Sequence, residues 1–439
     1  MTDKRSKDGQ RSGLSRRALL KGATALGATV GTGLPLFNVA RADSNVIKIG
    51  FIGALSGLRA DFGATSSWTV GNMKKLAAKG LQIGGKNYSL EVVVKDNGSE
   101  LSRSVQVGNE LVLSDKPDLV LSTDGEGAQG VGPIADAKKV PTISTMGPWQ
   151  AWLFGRKGDP GKGFPYSFHF FFGVDGIMKT FVNMWDSVQT NKIVGTFYQD
   201  NDGGRAFSSP QIGLITAMGP AGYKEVSTGL FKLDTDDFSS QVTAFKNAGA
   251  DIVSGMAFQN HFATFWNQAA QAKYKPEVAT VAAAFLFPAG VNVLGDRGGG
   301  VSTEVWWTPN FPYQSSLTGQ TGPEIAKQWT DDTGKQWTQP IGYDHATWEV
   351  GIAALKASGD PKNPDAVRDA IANLDITTIV GPVKFKDSPI KSVALTGVGG
   401  GQWRKSKDGK FPYELFVVNN QLAPGLKLDD QFKKLSELT

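Results

Sequence analysis

At 439 residues the chain is too long for one ordinary core and calls for two domains. Its formal charge of +5 sits in residues 1–42, where Lys4, Arg5, Lys7, Arg11, Arg16, Arg17, Lys21 and Arg41 against Asp3 and Asp8 give +6 and leave −1 for the rest, so that once those residues are removed no basic excess remains to bind nucleic acid. The absence of cysteine excludes disulfides, thiolate metal sites, a cysteine nucleophile and a lipid-modified cysteine.

The leader comes first. "SRRALLKG" sets Arg16 and Arg17 before a mildly apolar, Gly- and Ala-rich run from Gly22 to Ala40, and "ARA" ends it with small residues at Ala40 and Ala42. This resembles a twin-arginine export signal, which implies cleavage after residue 42, a mature chain starting at Asp43 and a periplasmic location. The alternative of a membrane anchor is disfavoured by the glycines and Pro35 within a run hardly long enough for a bilayer of about 30 Å.

From Asn45 onward strand-like runs alternate with helix-like ones. "NVIKIGFIGAL", "YSLEVVVKD", "PDLVLST" and "PTIST" read as strands, and "SSWTVGNMKKLAAKG", "LSRSVQVGNELVLSD" and "GVGPIADAKKV" as the helices between them. Such alternation predicts a parallel sheet covered on both faces. Within it, "STDGEGAQG" holds a G-x-G-x-x-G at Gly125, Gly127 and Gly130, a loop whose bare N–H groups suit any anion at a helix start. A Gly- and Pro-rich stretch, Gly147 to Pro165, interrupts the rhythm. It restarts with "SFHFFFG", "NKIVGTFYQ", "ADIVSGMAF" and "EVATVAAAFLF", separated by helices such as "DDFSSQVTAFKNAG" and "HFATFWNQAAQAKY". The remainder supplies a crossing strand, "VSTEVWWTPNFP", helices "IGYDHATWEVGIAALKASG" and "NPDAVRDAIANL", and late strands "TTIVGPVKF", "SVALTGVGG" and "YELFVVNN". If these pieces return to complete the first two lobes, several crossings and a cleft between lobes result.

The order of these blocks, with "IGFIGALSG", "KDNGSELSRSVQVGNELVLSDKPDLVLS", "KKVPTIS", "YQDNDGG" and "YDHATWEVGIAALKASG", resembles the branched-chain amino acid type of periplasmic solute-binding protein over nearly all of the chain after residue 42. The resemblance implies an α/β fold of two doubly wound Rossmann-like lobes, the type I periplasmic binding protein fold, divided as 43–170 with 308–395 and 171–307 with 396–439. It implies a non-enzymatic, monomeric component of an ABC importer that needs no cofactor, captures an amino acid or related aromatic or carboxylate solute, and delivers it to permease subunits. A receptor of the same fold that reports ligand to a membrane sensor is not separated from it by sequence.

An exported NAD(P)-dependent oxidoreductase is the competing chemistry, but its glycine loop belongs after the first strand with an acid about 20 residues on. Here it follows the third strand, and "PTISTMG" beyond it has no acid. His169, His261 and His345 lie far apart without a G-x-S-x-G or H-E-x-x-H pattern, which leaves hydrolase chemistry without its parts, and Asp200 and Asp202 lack the further acids of a calcium loop.

In the resembling family the loops after the third and fourth strands grip the ligand carboxylate through a serine hydroxyl and backbone N–H groups. That carry-over points to Asp124, Gly125, Glu126 and Gly127, and to Ser144, Thr145 and Met146. It adds Ser56 after the first strand, Asp200 and Asp202 in "YQDNDGG", Phe258 where the family has a tyrosine, with Gln259 beside it, and Phe285 near the family's ammonium-binding glutamate. The departures are Gly125 in place of the serine and "AAAFL", Ala282 to Leu286, without an acid. Trp149, Trp152 and Phe154 in the insertion are positioned either to wall the cleft or to anchor the insertion, and the combination favours an aromatic or larger apolar solute.

Overall fold

The structure, a computed structural model, describes residues 45–438; the predicted leader and its cleavage point lie outside them. Sixteen strands form: β1 (Val46–Gly53), β2 (Leu81–Ile83), β3 (Lys86–Asp96), β4 (Leu119–Ser122), β5 (Thr142–Ser144), β6 (Ser167–Phe170), β7 (Ile193–Gln199), β8 (Lys224–Phe231), β9 (Ile252–Met256), β10 (Val278–Ala282), β11 (Ser302–Val305), β12 (Asp375–Thr378), β13 (Gly381–Lys384), β14 (Val393–Ala394), β15 (Gly399–Lys405) and β16 (Tyr413–Asn419). Two seven-stranded sheets run β14-β6-β5-β4-β1-β3-β2 and β16-β15-β11-β10-β9-β7-β8, with β12 and β13 as a separate hairpin.

Apart from the long, partly exposed β3 and the hairpin strands β12 and β13, the runs read as strands are short, apolar and largely buried, as parallel strands between helices must be. β4, "LVLS", and β9, "IVSGM", are buried at every residue. β1 pairs parallel with β3 and β4, and β9 parallel with β7 and β10. Helices Ser66–Leu76, Leu101–Glu110, Gly125–Lys138 and Pro340–Ala357 cover the first sheet, and helices Val174–Trp185, Ser239–Asn247 and Gln259–Gln271 belong to the second. The sheet edge β8 departs from this pattern. Its "KEVSTGLF" is exposed except at its end, and charged Lys224 and Glu225 on it oppose edge-to-edge pairing.

Three details differ from the sequence reading. The helix after β4 starts at Gly125, so most of the supposed glycine loop is helix. "TTIVGPVKF" divides into the β12–β13 hairpin because Gly381 takes a φ of +101°. "SVALTGVGG" is split between sheets: β14 closes the first, β15 joins the second antiparallel to β11, and residues 395–398 cross between them. With the passages after β6 and after β11, the chain crosses three times between the sheets.

Aromatic rings fill the crossings. Phe171 stacks on Phe172 at 4.0 Å and meets Trp306 at 5.3 Å and Tyr343 at 4.9 Å, edge-on in the last two. Gly342 lets the long buried helix Pro340–Ala357 lie against Trp307, since a Cβ there would fall 2.3 Å from the indole. One packed aromatic core, not loose linkers, therefore joins the two lobes.

Candidate ligand cleft

In open α/β sheets the loops at the carboxyl ends of parallel strands form the ligand crevice. Here the loop after β1 is held by Asp96 at the end of β3: Leu55 and Ser56 N–H donate to Oδ1 at 3.1 and 3.2 Å, and Ser56 Oγ donates to Oδ2 at 2.6 Å. Partial burial pushes the Asp96 carboxyl up, but the hydrogen bonds from Ser56 and from the N–H groups of Gly98 and Leu55 outweigh it and hold it below the usual range. Gly57, at φ +87°, turns the chain where a Cβ would lie 2.3 Å from the Gly98 carbonyl oxygen.

That turn projects Arg59, Asp61 and Phe62 towards the second lobe. Gln259, opening helix Gln259–Gln271, donates from Nε2 to Asp61 Oδ2 at 3.1 Å. Phe62 stands edge-on to Phe287 at 4.9 Å and tilted to Trp306 at 5.6 Å. Between these contacts lies a cavity of about 340 Å³, lined from the first lobe by residues 57–62 and from the second by Phe258, Gln259, Asn260, Ala283 and Phe287. A larger cavity of about 470 Å³ sits at the other end of helix Gln259–Gln271, under the C-terminal segment; it is lined by the second lobe alone.

The expected residues fall into three groups. Phe258 and Gln259 line the cleft, with Ser56 on its flank, exposed and tied to Asp96. Around the glycine helix, Asp124 turns inward as its cap: the carboxylate accepts from Gly127 N–H at 2.7 Å and Asn97 Nδ2 at 2.9 Å. Burial pushes this carboxyl up to about 6. Glu126 pairs with Arg59. The repulsion that these two acids would exert on a ligand carboxylate is thus largely absorbed by their own partners. Gly125 faces open space at the first turn. Gly127 abuts Ser122 and Ile52, and Gly130 abuts Ser104 on helix Leu101–Glu110, so two of the three motif glycines serve close packing.

The third group turns away from the cleft, for identifiable reasons. Ser144 Oγ lies 2.9 Å from His169 Nδ1 and 3.1 Å from the Phe168 carbonyl, and Thr145 Oγ1 donates to the Phe170 carbonyl at 2.7 Å, so neighbouring β6 takes both hydroxyls. Met146 is buried in the core. Phe285 is fully buried against Phe262, ring centroids 4.6 Å apart, because the turn after β10 points it into the second lobe. Asp200 and Asp202 both pair with Arg205 at 2.9 and 3.3 Å, closing a strand-end turn. In the insertion, Trp152 is buried and stacks on His169 at 5.2 Å, an anchor, whereas Trp149 is half-buried beside the first crossing, with its backbone N–H donating to the Phe172 carbonyl at 3.2 Å. Burial pushes His169 and His345 down to about 4, which keeps both neutral. Among the described residues no group of three or more His, Asp or Glu is placed to hold a metal.

Arg59, Asp61, Phe62, Ala283 and Phe287 were missed. For the first three the signal was "LRADF", a cation, an acid and an aromatic ring in the first βα loop; Ala283 and Phe287 lie in "AAAFLF", an apolar run with no polar group to mark it.

A family model described as periplasmic binding protein matches residues 46–402. Among similar solved structures is a leucine binding protein from Thermotoga maritima, 15% identical, covering 85% of this chain and 99% of that one with a TM-score of 0.68. A branched-chain amino acid transporter substrate binding protein from Streptococcus pneumoniae, in complex with isoleucine, is 19% identical over 89% of this chain and all (100%) of that one, TM-score 0.63. A solute binding protein of an ABC transporter from Rhodopseudomonas palustris, in complex with 3,4-dihydroxybenzoic acid, is 17% identical over 88% and 99%, TM-score 0.67. These neighbours are solute-binding proteins, not enzymes. Two seven-stranded lobes, three crossings, a cleft reached from both and a family match over most of the chain converge: this protein belongs to the periplasmic binding protein family.

Proposed function

We propose that this protein is the periplasmic solute-binding component of an ABC importer and that it captures an amino acid or a related small carboxylate, aromatic ones included, between lobes 43–170 with 308–395 and 171–307 with 396–439. The observation that carries this reading is the cavity of about 340 Å³ with walls from both lobes, a volume suited to a solute of amino-acid size. Its apolar wall of Phe62, Phe258 and Phe287 supplies contact area, and Arg59, Asp61 and Gln259 supply the few polar groups that orient a solute. The partner is the permease of such an importer. Similar proteins bound to isoleucine and to 3,4-dihydroxybenzoic acid support a small organic solute and differ in whether it carries an amine.

Ligand that binds only the folded protein raises its melting temperature by mass action. A thermal-shift screen of amino acids and aromatic acids on the protein and on Phe258→Ala tests the reading. Stabilisation by a small solute, weakened by Phe258→Ala, is expected. Stabilisation indifferent to that substitution would place the ligand elsewhere, and chemical turnover of the solute would overturn the transport role.

A further inference from the structure

The charges at the cleft do not cancel. Arg59 is paired with Glu126. Asp61, facing the same cavity, receives only the neutral amide of Gln259, and no cation is within ion-pair distance of it among the described residues. The cleft therefore carries one uncompensated carboxylate, half-buried among the rings of Phe62, Phe258 and Phe287. A carboxylate in that setting attracts a cation, and aromatic faces beside it add attraction for the same charge. A solute with a carboxylate and no amine meets repulsion from Asp61 and finds Arg59 already engaged.

We propose that Asp61 is the specificity-determining residue of the cleft, receiving a protonated amine of the solute, so that the protein selects amine-bearing solutes over their amine-free counterparts. The proposal rests on the cleft reading above. It supplies the acid that "AAAFL" in the second lobe lacks, from the opposite wall. Because Gln259 of the other lobe already donates to the same carboxylate, an amine bound there is held where the two lobes meet.

Asp61→Asn removes the charge while leaving an oxygen to accept from Gln259, so closure and folding are spared. Calorimetric titration with leucine, 4-methylpentanoate, phenylalanine, 3-phenylpropanoate and 2-phenylethylamine reads the preference. In the wild type an amine-bearing member binds about 10- to 100-fold more tightly than its amine-free partner, and in Asp61→Asn that preference vanishes. Equal or tighter binding of the amine-free acids to the wild type, a preference that survives Asp61→Asn, or no binding by any amine-bearing member would each overturn the proposal. Phe258→Ala separates the two readings. If it weakens binding while Asp61→Asn does not, the cleft stands and only the role of Asp61 falls; if it changes nothing, the cleft reading fails.

Discussion

Substituting the glycines of the G-x-G-x-x-G one at a time separates a packing device from an anion cradle. A Cβ on Gly130 would lie 2.5 Å from Ser104 Cβ, 2.6 Å from Ser104 C and 2.7 Å from Val105 N. Two of those three atoms are backbone of the facing helix, so a rotamer change offers no relief and helices Leu101–Glu110 and Gly125–Lys138 must part. Overpacking of this kind costs about 1–3 kcal/mol, and alanine's better helix propensity returns up to about 1 kcal/mol. Gly130→Ala should therefore destabilise by about 1–2 kcal/mol. At Gly125 a Cβ meets nothing within 4 Å, and Gly125→Ala should be neutral or stabilising by up to about 1 kcal/mol. Urea denaturation of the two variants beside the wild type reads the difference directly. Equal stability of Gly130→Ala and wild type would refute the packing account, as would a larger loss at Gly125 than at Gly130. A melting-temperature rise with NAD would instead revive the nucleotide loop.

Three further outcomes follow from the geometry. Trp152→Ala removes a buried ring stacked on His169 and edge-on to Phe164 at 5.0 Å, and should cost about 3–5 kcal/mol in urea denaturation; a loss under about 1 kcal/mol would mean the insertion is not anchored there. Asp344 is fully buried, accepts from the Thr65 and Ser66 hydroxyls, and is pushed up to about 7 by burial. With a folded value above the unfolded one, its contribution is complete below about pH 4 and fades at about 1.4 kcal/mol per pH unit as pH rises towards 7, so Asp344→Asn should gain on the wild type between about pH 4 and pH 7 and hold level above it, and a constant difference from about pH 4 to pH 7 would refute the assignment. Small-angle scattering should show compaction on adding a saturating ligand, because lobes joined by a packed pivot close as rigid bodies; superimposable curves would argue against hinge closure.

Much of the fold was legible because its signals are local. Short apolar runs such as "LVLS" are buried at every residue only when both sheet faces are covered, and the block order of strands and helices carries the family resemblance along the chain. The order also placed Phe258 and Gln259 at the mouth of a strand, where a cleft must lie. Hinges and edges were harder. The last crossing hides inside "SVALTGVGG", which reads in sequence as one late strand, and β8 has too little apolar content to announce itself.

What tertiary structure decided is which groups remain free to meet a solute. Asp124, Ser144 and Thr145 carry suitable chemistry, yet folding offers each a nearer partner: the N–H of Gly127 for the acid, and the Phe168 and Phe170 carbonyls with His169 for the hydroxyls. Hydrogen-bonding groups withdrawn from water must be satisfied, and the partners that satisfy them come from strands and loops more than 20 residues away or from the phase of a helix start. Asp61 is the converse. In the sequence it is one acid in an ordinary loop, and it becomes the unpaired charge of the cleft only because Gly57 lets that loop close on Gly98, Arg59 is drawn to Glu126, and the second lobe brings Gln259 across. Composition and periodicity determine which segments form sheets and helices; the competition among side chains for partners, settled only when distant segments meet, determines the site.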